Sequence, residues 1–182
     1  MGVTCCVFIA MSLDGYIARK DGDIDWLMPA EYSQKEDYGY LAFIDSIDAI
    51  VMGRKSFEKV CTFDAWPYGD IPVIVLSARE ISIPSVLKST VSSFSKSLDH
   101  LVDDLHSAGK KRLYIDGGIT IQRFLAAERI DRMTITVIPV LLGEGIRLFG
   151  FLPKQVHLRL EGSRCFDSGY VQLQYTVIKA KV

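Results

Sequence analysis

"KRLYIDGGITIQRFLAAE" (111–128) changes its pattern across a glycine pair. Residues 111–118 read as a short apolar strand that runs into Gly117 and Gly118. Residues 119–128 continue as a helix. A strand passing straight into a helix is the repeating unit of an α/β fold. The glycines admit two readings: close approach of the backbone to a ligand, or close packing of helix on strand.

The same alternation extends outward in both directions. "VTCCVFIAM" (3–11) is a continuous apolar run, as expected of a strand covered on both faces. "DAIVMG" (48–53) reads as a second strand and "RKSFEKV" (54–60) as a helix entered directly after Gly53. "IPVIVLS" (71–77) is a third buried strand, set off by Pro67, Gly69 and Pro84, with a weaker strand around "TVSSF" (90–94). A helix is predicted over 97–108, with Ser97 as its cap, Leu98, Leu101, Val102 and Leu105 as its apolar stripe, and Gly109 as its stop. Residues 30–46 read as mostly helical, with Pro29 able to open the helix. "DRMTITVIPVLLG" (131–143) is another strand. Residues 155–166 and 169–180 form a hairpin around "DSG". The expected architecture is one α/β domain over 1–182, a mostly parallel sheet with right-handed crossovers, ended by an antiparallel C-terminal hairpin.

Composition narrows the function. Of 182 residues, 49% are hydrophobic and 24% charged, as in ordinary folded proteins, and the net charge is −1. No stretch concentrates Lys or Arg, which argues against nucleic-acid or membrane-surface binding by bulk charge. No apolar run approaches the roughly 18 residues of a membrane span. The opening "MGVTCCVFIA" has no basic n-region or cleavage site, so a cytoplasmic location is expected. Cys5, Cys6, Cys61 and Cys165 have no CxxC spacing and read as reduced thiols. His100, His106 and His157 are scattered, and no metal site is expected.

Parallel α/β sheets bind ligands beyond the carboxyl ends of their strands. Three strand ends here carry special residues: Asp14-Gly15, Gly53-Arg54 and Gly117-Gly118. A diphosphate at the helix after Gly118 would meet N–H donors and a favourable dipole end. Arg54, Ser77 and Arg79 are placed to meet further phosphate, although each arginine is also an ordinary surface ion-pair partner. Neither GxGxxG nor GxxxxGK[ST] is present.

"IAMSLDGYIA", "DWLMPAE", "IVMGRKSFE", "VIVLS", "LYIDGG" and "IDRMTITVIPVLLGEGIRLF" resemble the dihydrofolate reductase superfamily in order and spacing. The last two segments look most like the reductase domain of bacterial riboflavin biosynthesis and its stand-alone relatives. The resemblance implies a dihydrofolate reductase-like three-layer α/β sandwich and NADPH as cofactor. It places Ala10 and Ile17 at the nicotinamide, and Gly53, Arg54, Lys55 and Ser56 on cofactor phosphates. Ser77 and Arg79 would take the adenosine end with its 2′-phosphate, and Gly117 and Gly118 the diphosphate. Asp14 would sit at the active-site mouth. Glu31 would be the pocket carboxylate that promotes protonation, with Trp26 as a pocket wall and Thr136 as its partner. Asp116 matches an acidic position of riboflavin-type reductases, where it either ends the strand or binds a ribityl hydroxyl.

The chain departs from that pattern at Tyr16, where riboflavin-type reductases usually carry a basic residue. The zinc deaminase signature that often accompanies that reductase is absent. Tyr32, Tyr38, Tyr40 and Phe43 are candidates for an aromatic pocket lining. The implied function is NADPH-dependent reduction of a small heterocycle, most like 5-amino-6-(5-phosphoribosylamino)uracil. Dihydrofolate reduction is the alternative, and a non-catalytic nucleotide-binding or interaction module is the alternative from another class. The resemblance also implies a homodimer, with the apolar "VIPVLLG" (137–143) as one candidate surface.

Overall fold

A computed structural model describes residues 2–27 and 36–179. The first strand, β1 (Thr4–Ser12), lies inside an eight-stranded sheet. Its parallel neighbours are β6 (Arg112–Asp116) and β7 (Arg132–Ile138). β3 (Ala49–Gly53), β4 (Val73–Leu76) and β5 (Val91–Phe94) extend the parallel set beyond β6. β9 (His157–Cys165) and β10 (Val171–Ile178) form the expected hairpin, and β10 pairs antiparallel with β7. The spatial order is β5-β4-β3-β6-β1-β7-β10-β9. A separate antiparallel pair joins β2 (Tyr16–Ala18) to β8 (Ile146–Arg147).

Apolar alternation along the strands creates two cores, one on each face of the sheet. Val51 and Ile115 join one core with Leu101, Ile121 and Phe124, the apolar faces of α3 (Leu98–Ser107) and α4 (Gly118–Ala126). Ile50, Met52 and Tyr114 face the other way, against Phe43 of α1 (Tyr40–Ile44) and Phe57 of α2 (Arg54–Val60). The adjacent thiols Cys5 and Cys6 divide between the two cores in the same way, and all four cysteines are free. Among the described residues, no helix is long and apolar enough to cross a membrane.

Two helices match their sequence signals closely. α2 occupies 54–60 as expected, and α3 is capped by Ser97, whose Oγ accepts from the His100 N–H at 3.3 Å. The helix expected over 30–46 is corrected: its described part is helical only at Tyr40–Ile44. Tyr38 and Gly39 have φ of 54° and 81°, a left-handed pair that no α-helix runs through. The Asp37 carboxylate then accepts from the N–H groups of Gly39 and Leu41, at 3.0 and 2.9 Å, at the start of α1. The strand expected over 131–143 ends at Ile138, where Pro139 removes a donor and Val140 N–H turns back onto the Ile138 carbonyl at 2.8 Å. Within that stretch Ile138 is buried against Trp26 and Tyr170, while Leu141 stays exposed.

Candidate active site

The carboxyl ends of β3 and β6 and the short β2–β8 pair meet at one point. Gly117 has φ +86°, and a Cβ there would lie 2.3 Å from Ser56 Oγ in the first turn of α2. At Gly118 a Cβ would lie 2.9 Å from the Arg147 carbonyl oxygen and 3.0 Å from Ile17 Cδ1. One at Gly53 would meet Thr120 Oγ1 at 3.0 Å. Packing therefore already requires all three glycines. Among the described residues, no side chain caps the start of α4, whose first N–H groups lack intrahelical partners. Ile17, Gly53, Ser56, Gly117 and Gly118, scattered through the chain, are brought together here. Thr120, buried against Gly53, was not legible beforehand, because a mid-helix threonine carries no signal of its own.

The cationic candidates separate. Arg54 donates to Glu58 Oε1 at 3.0 Å, the ordinary pairing of residues four apart on a helix. Arg79 stands just past β4 and has no ion pair among the described residues. Its backbone N–H donates to Ser77 Oγ at 3.1 Å, and that hydroxyl donates to the Arg79 carbonyl at 2.7 Å, fixing the turn. Lys55 is exposed on α2.

The segment after β1 is fastened rather than free. The Ser12 hydroxyl donates to Asp14 Oδ1 at 2.6 Å and accepts from Tyr16 N–H at 2.9 Å. Leu142 N–H and Gly143 N–H donate to the two Asp14 oxygens at 3.1 and 2.7 Å. The Ser12 hydroxyl, followed by these backbone donors, holds the Asp14 carboxyl below its ordinary range. With its acceptors occupied, Asp14 is suited to clamping the loop and poorly suited to delivering a proton. Tyr16 is buried; its hydroxyl donates to the Gly143 carbonyl at 3.1 Å and accepts from Arg147 Nη2 at 2.9 Å. The Arg147 guanidinium carbon lies 4.6 Å from the Tyr16 ring centre.

On the α1–α2 face, Ala10 and Thr136 sit opposite each other across β1 and β7. Thr136 is buried, and its Oγ1 accepts from Gln172 Nε2 at 3.0 Å; the same amide donates to the Tyr38 carbonyl at 2.9 Å. Among the described residues Gln172 is thus the hydroxyl's partner. Glu31, the partner expected for Thr136, lies outside the described residues, as do Pro29 and Tyr32. Gln172 was missed because a glutamine on a hairpin strand ordinarily faces solvent. Trp26, in a 3₁₀ turn over Asp25–Leu27, packs on Ile138 and Tyr170, and its buried Nε1 has no hydrogen-bond partner among the described residues.

Asp116 ends β6 beside Met52 of β3, on the same face as Tyr114. The Tyr114 hydroxyl lies 3.2 Å from Asp116 Oδ1 and 3.0 Å from the Phe8 carbonyl, so its one proton is shared between two acceptors. Desolvation pushes the Asp116 carboxyl above its ordinary value, against the opposing effect of the Gly117 N–H and the Tyr114 hydroxyl. Burial, with Asp116 nearby, pushes the Tyr40 phenol up to about 12 and raises Tyr68 and Tyr114 further. Phe43 stacks on Phe8 at 4.8 Å and meets Tyr114 edge-on at 5.1 Å, and Tyr40 meets Phe8 edge-on at 5.8 Å, so both rings pack in the core on this face. Tyr38 stacks on Tyr170, at 5.2 Å. Among the described residues, no group of three or more His, Cys, Asp or Glu side chains is arranged to hold a metal.

Known proteins share this fold. The chain is 39% identical to a protein of Shewanella sp. PV-4 provisionally assigned to riboflavin biosynthesis, with a TM-score of 0.91 over 97% of this chain and 100% of that one. It is 35% identical to the Bacillus subtilis protein YwjB over 93% of this chain and 95% of the relative. A Thermotoga maritima diaminohydroxyphosphoribosylaminopyrimidine deaminase/5-amino-6-(5-phosphoribosylamino)uracil reductase shares the fold, at 14% identity and a TM-score of 0.74 over 96% of this chain and 56% of that protein. The RibD C-terminal domain model matches residues 3–172. With the dihydrofolate reductase-like sandwich described above, that match makes the chain a member of the RibD C-terminal domain family.

Proposed function

We propose that the protein is an NADPH-dependent reductase of a small heterocyclic substrate, of the kind that acts on 5-amino-6-(5-phosphoribosylamino)uracil. The observation that carries this reading is the meeting of Gly117, Gly118, Ser56 and Ile17 at the uncapped start of α4. A side chain added at either glycine would collide there, and the N–H groups at the start of α4 suit a diphosphate. In this reading Ser56 and the α4 N–H groups hold the diphosphate, Arg79 takes the 2′-phosphate, and the Ala10 backbone orients the nicotinamide amide. Ile17 closes one side of the ring. When bound, the reduced nicotinamide supplies the hydride, delivered in this reaction type to C1′ of the opened ribose.

The accompanying proton has to come from a side chain or a positioned water. Burial favours a protonated Asp116 carboxyl, although the Gly117 N–H and the Tyr114 hydroxyl that donate to it oppose this. Asp14 fastens the loop that carries Ile17. The positive charge that Tyr16 does not itself provide is supplied beside it by Arg147. This favours a substrate with a phosphate over a neutral pterin.

The test is NADPH oxidation by purified protein with the phosphoribosylaminouracil and with dihydrofolate, assayed side by side. Turnover of the phosphoribosyl compound supports the proposal. Turnover of dihydrofolate alone would move the assignment to the pterin reaction. Cofactor binding without turnover of either would reduce the protein to a nucleotide-binding module.

A further inference from the structure

A cavity of about 550 Å³ opens on the α1 face and runs along β1, β7 and β10 away from the strand ends discussed above. Thr136 and Arg132 are four residues apart on β7, so its far end lies about 13 Å from the Ala10–Thr136 pair at the rise of a β-strand. That end is cationic. Cys6 of β1 pairs with Arg132 on one side and with Tyr114, two residues after Arg112, on the other. Arg112 and Arg132 therefore flank β1 on one face, and both line the cavity. Neither takes part in an ion pair among the described residues.

Among the described residues, the buried Arg112 Nε has no hydrogen-bond partner. Leaving a charged donor unpaired costs stability, so a further acceptor at this guanidinium would be stabilising. The Arg112 guanidinium carbon stands 6.0 Å from the centre of the Phe43 ring, which forms the apolar wall with Phe8. Glu161 is the carboxylate on the lining, and Arg159 engages it at 2.8 Å. Burial raises the Cys6 thiol, while Arg112, which also hydrogen-bonds it, and then Arg132 pull it down.

We infer that this cavity is a second binding site, distinct from the cofactor cradle, for a small organic phosphate. Its anionic group pairs with Arg112 and Arg132, and its flat apolar part lies against Phe8 and Phe43. The volume is in the range of small-molecule sites. The inference does not rest on the reductase assignment.

The experiment is calorimetric titration of the whole protein with phenyl phosphate and with inorganic phosphate, on wild type and on Arg132→Gln, Arg112→Gln and Arg79→Gln. Phenyl phosphate should bind at least tenfold more tightly than inorganic phosphate. Arg132→Gln should weaken it at least tenfold, and Arg79→Gln should leave it unchanged. Arg132 is exposed, so its variant remains informative should Arg112→Gln fail to fold. No binding of either probe to wild type would overturn the inference and assign the cavity to water or to a second copy of the chain. Loss on Arg79→Gln in place of Arg132→Gln would also overturn it, by placing the phosphate at the strand ends.

Discussion

Gly117 holds the cradle together through what it lacks. At φ +86° with Ser56 Oγ 2.3 Å from any added Cβ, an alanine meets both backbone strain and a clash. Gly117→Ala should lower stability by about 1–3 kcal/mol, measured by urea denaturation, from the backbone strain alone. Adding Ser56→Gly should relieve only the steric part. Recovery of full stability in the double variant would mean that the backbone conformation is not strained. Arg79→Gln should weaken NADPH more than NADH by about 1–3 kcal/mol if the contact is charge-assisted, read by parallel titration. Equal loss for both cofactors would place Arg79 away from the 2′-phosphate. Asp116 makes a prediction whose sign is fixed by its raised carboxyl. Between the ordinary carboxylate range and the raised value the folded protein binds the extra proton, so stability falls as pH rises through that window. Asp116→Asn should flatten that fall in denaturation curves taken across pH. An unchanged slope would show that Asp116 titrates normally.

The loop between β1 and β2 and the segment at 142–147 act as one unit. Asp14 accepts from Leu142 and Gly143, Tyr16 donates to the Gly143 carbonyl, and β2 pairs with β8. Asp14→Ala should speed amide hydrogen exchange at Leu142 and Gly143 while leaving the centre of β1 protected. Unchanged exchange would remove the clamp. None of this pairing was legible in the sequence. The β2 and β8 strands have three and two residues, too short for periodicity, and their partners lie far apart along the chain. The elements that were legible have self-contained signals: α2 after Gly53, and α3 between Ser97 and Gly109. The helix over 30–46 was overestimated because its helix formers conceal a left-handed turn at Tyr38 and Gly39, set by the Asp37 carboxylate.

At the scale of the molecule, the β/α alternation gave the parallel sheet and the closing hairpin, while the strand order came only with the structure. The glycine pair marked the correct strand end, because a positive φ and a close helix contact leave glycine as the residue that fits. The face carrying Thr136, Gln172 and Asp116 was only partly legible, since its partners are polar side chains from strands distant in sequence. Two cores, one on each face of the sheet, pack behind that edge, and the candidate cofactor and substrate groups Ala10 and Thr136 are neighbours on one face of it. The measurement that tests this account most directly is a parallel titration of the protein with NADPH and NADH, followed by tryptophan fluorescence and melting temperature. The account predicts micromolar binding with NADPH preferred, lost on Gly117→Ala. Absence of binding to either nucleotide would contradict it and leave the glycines as packing residues alone.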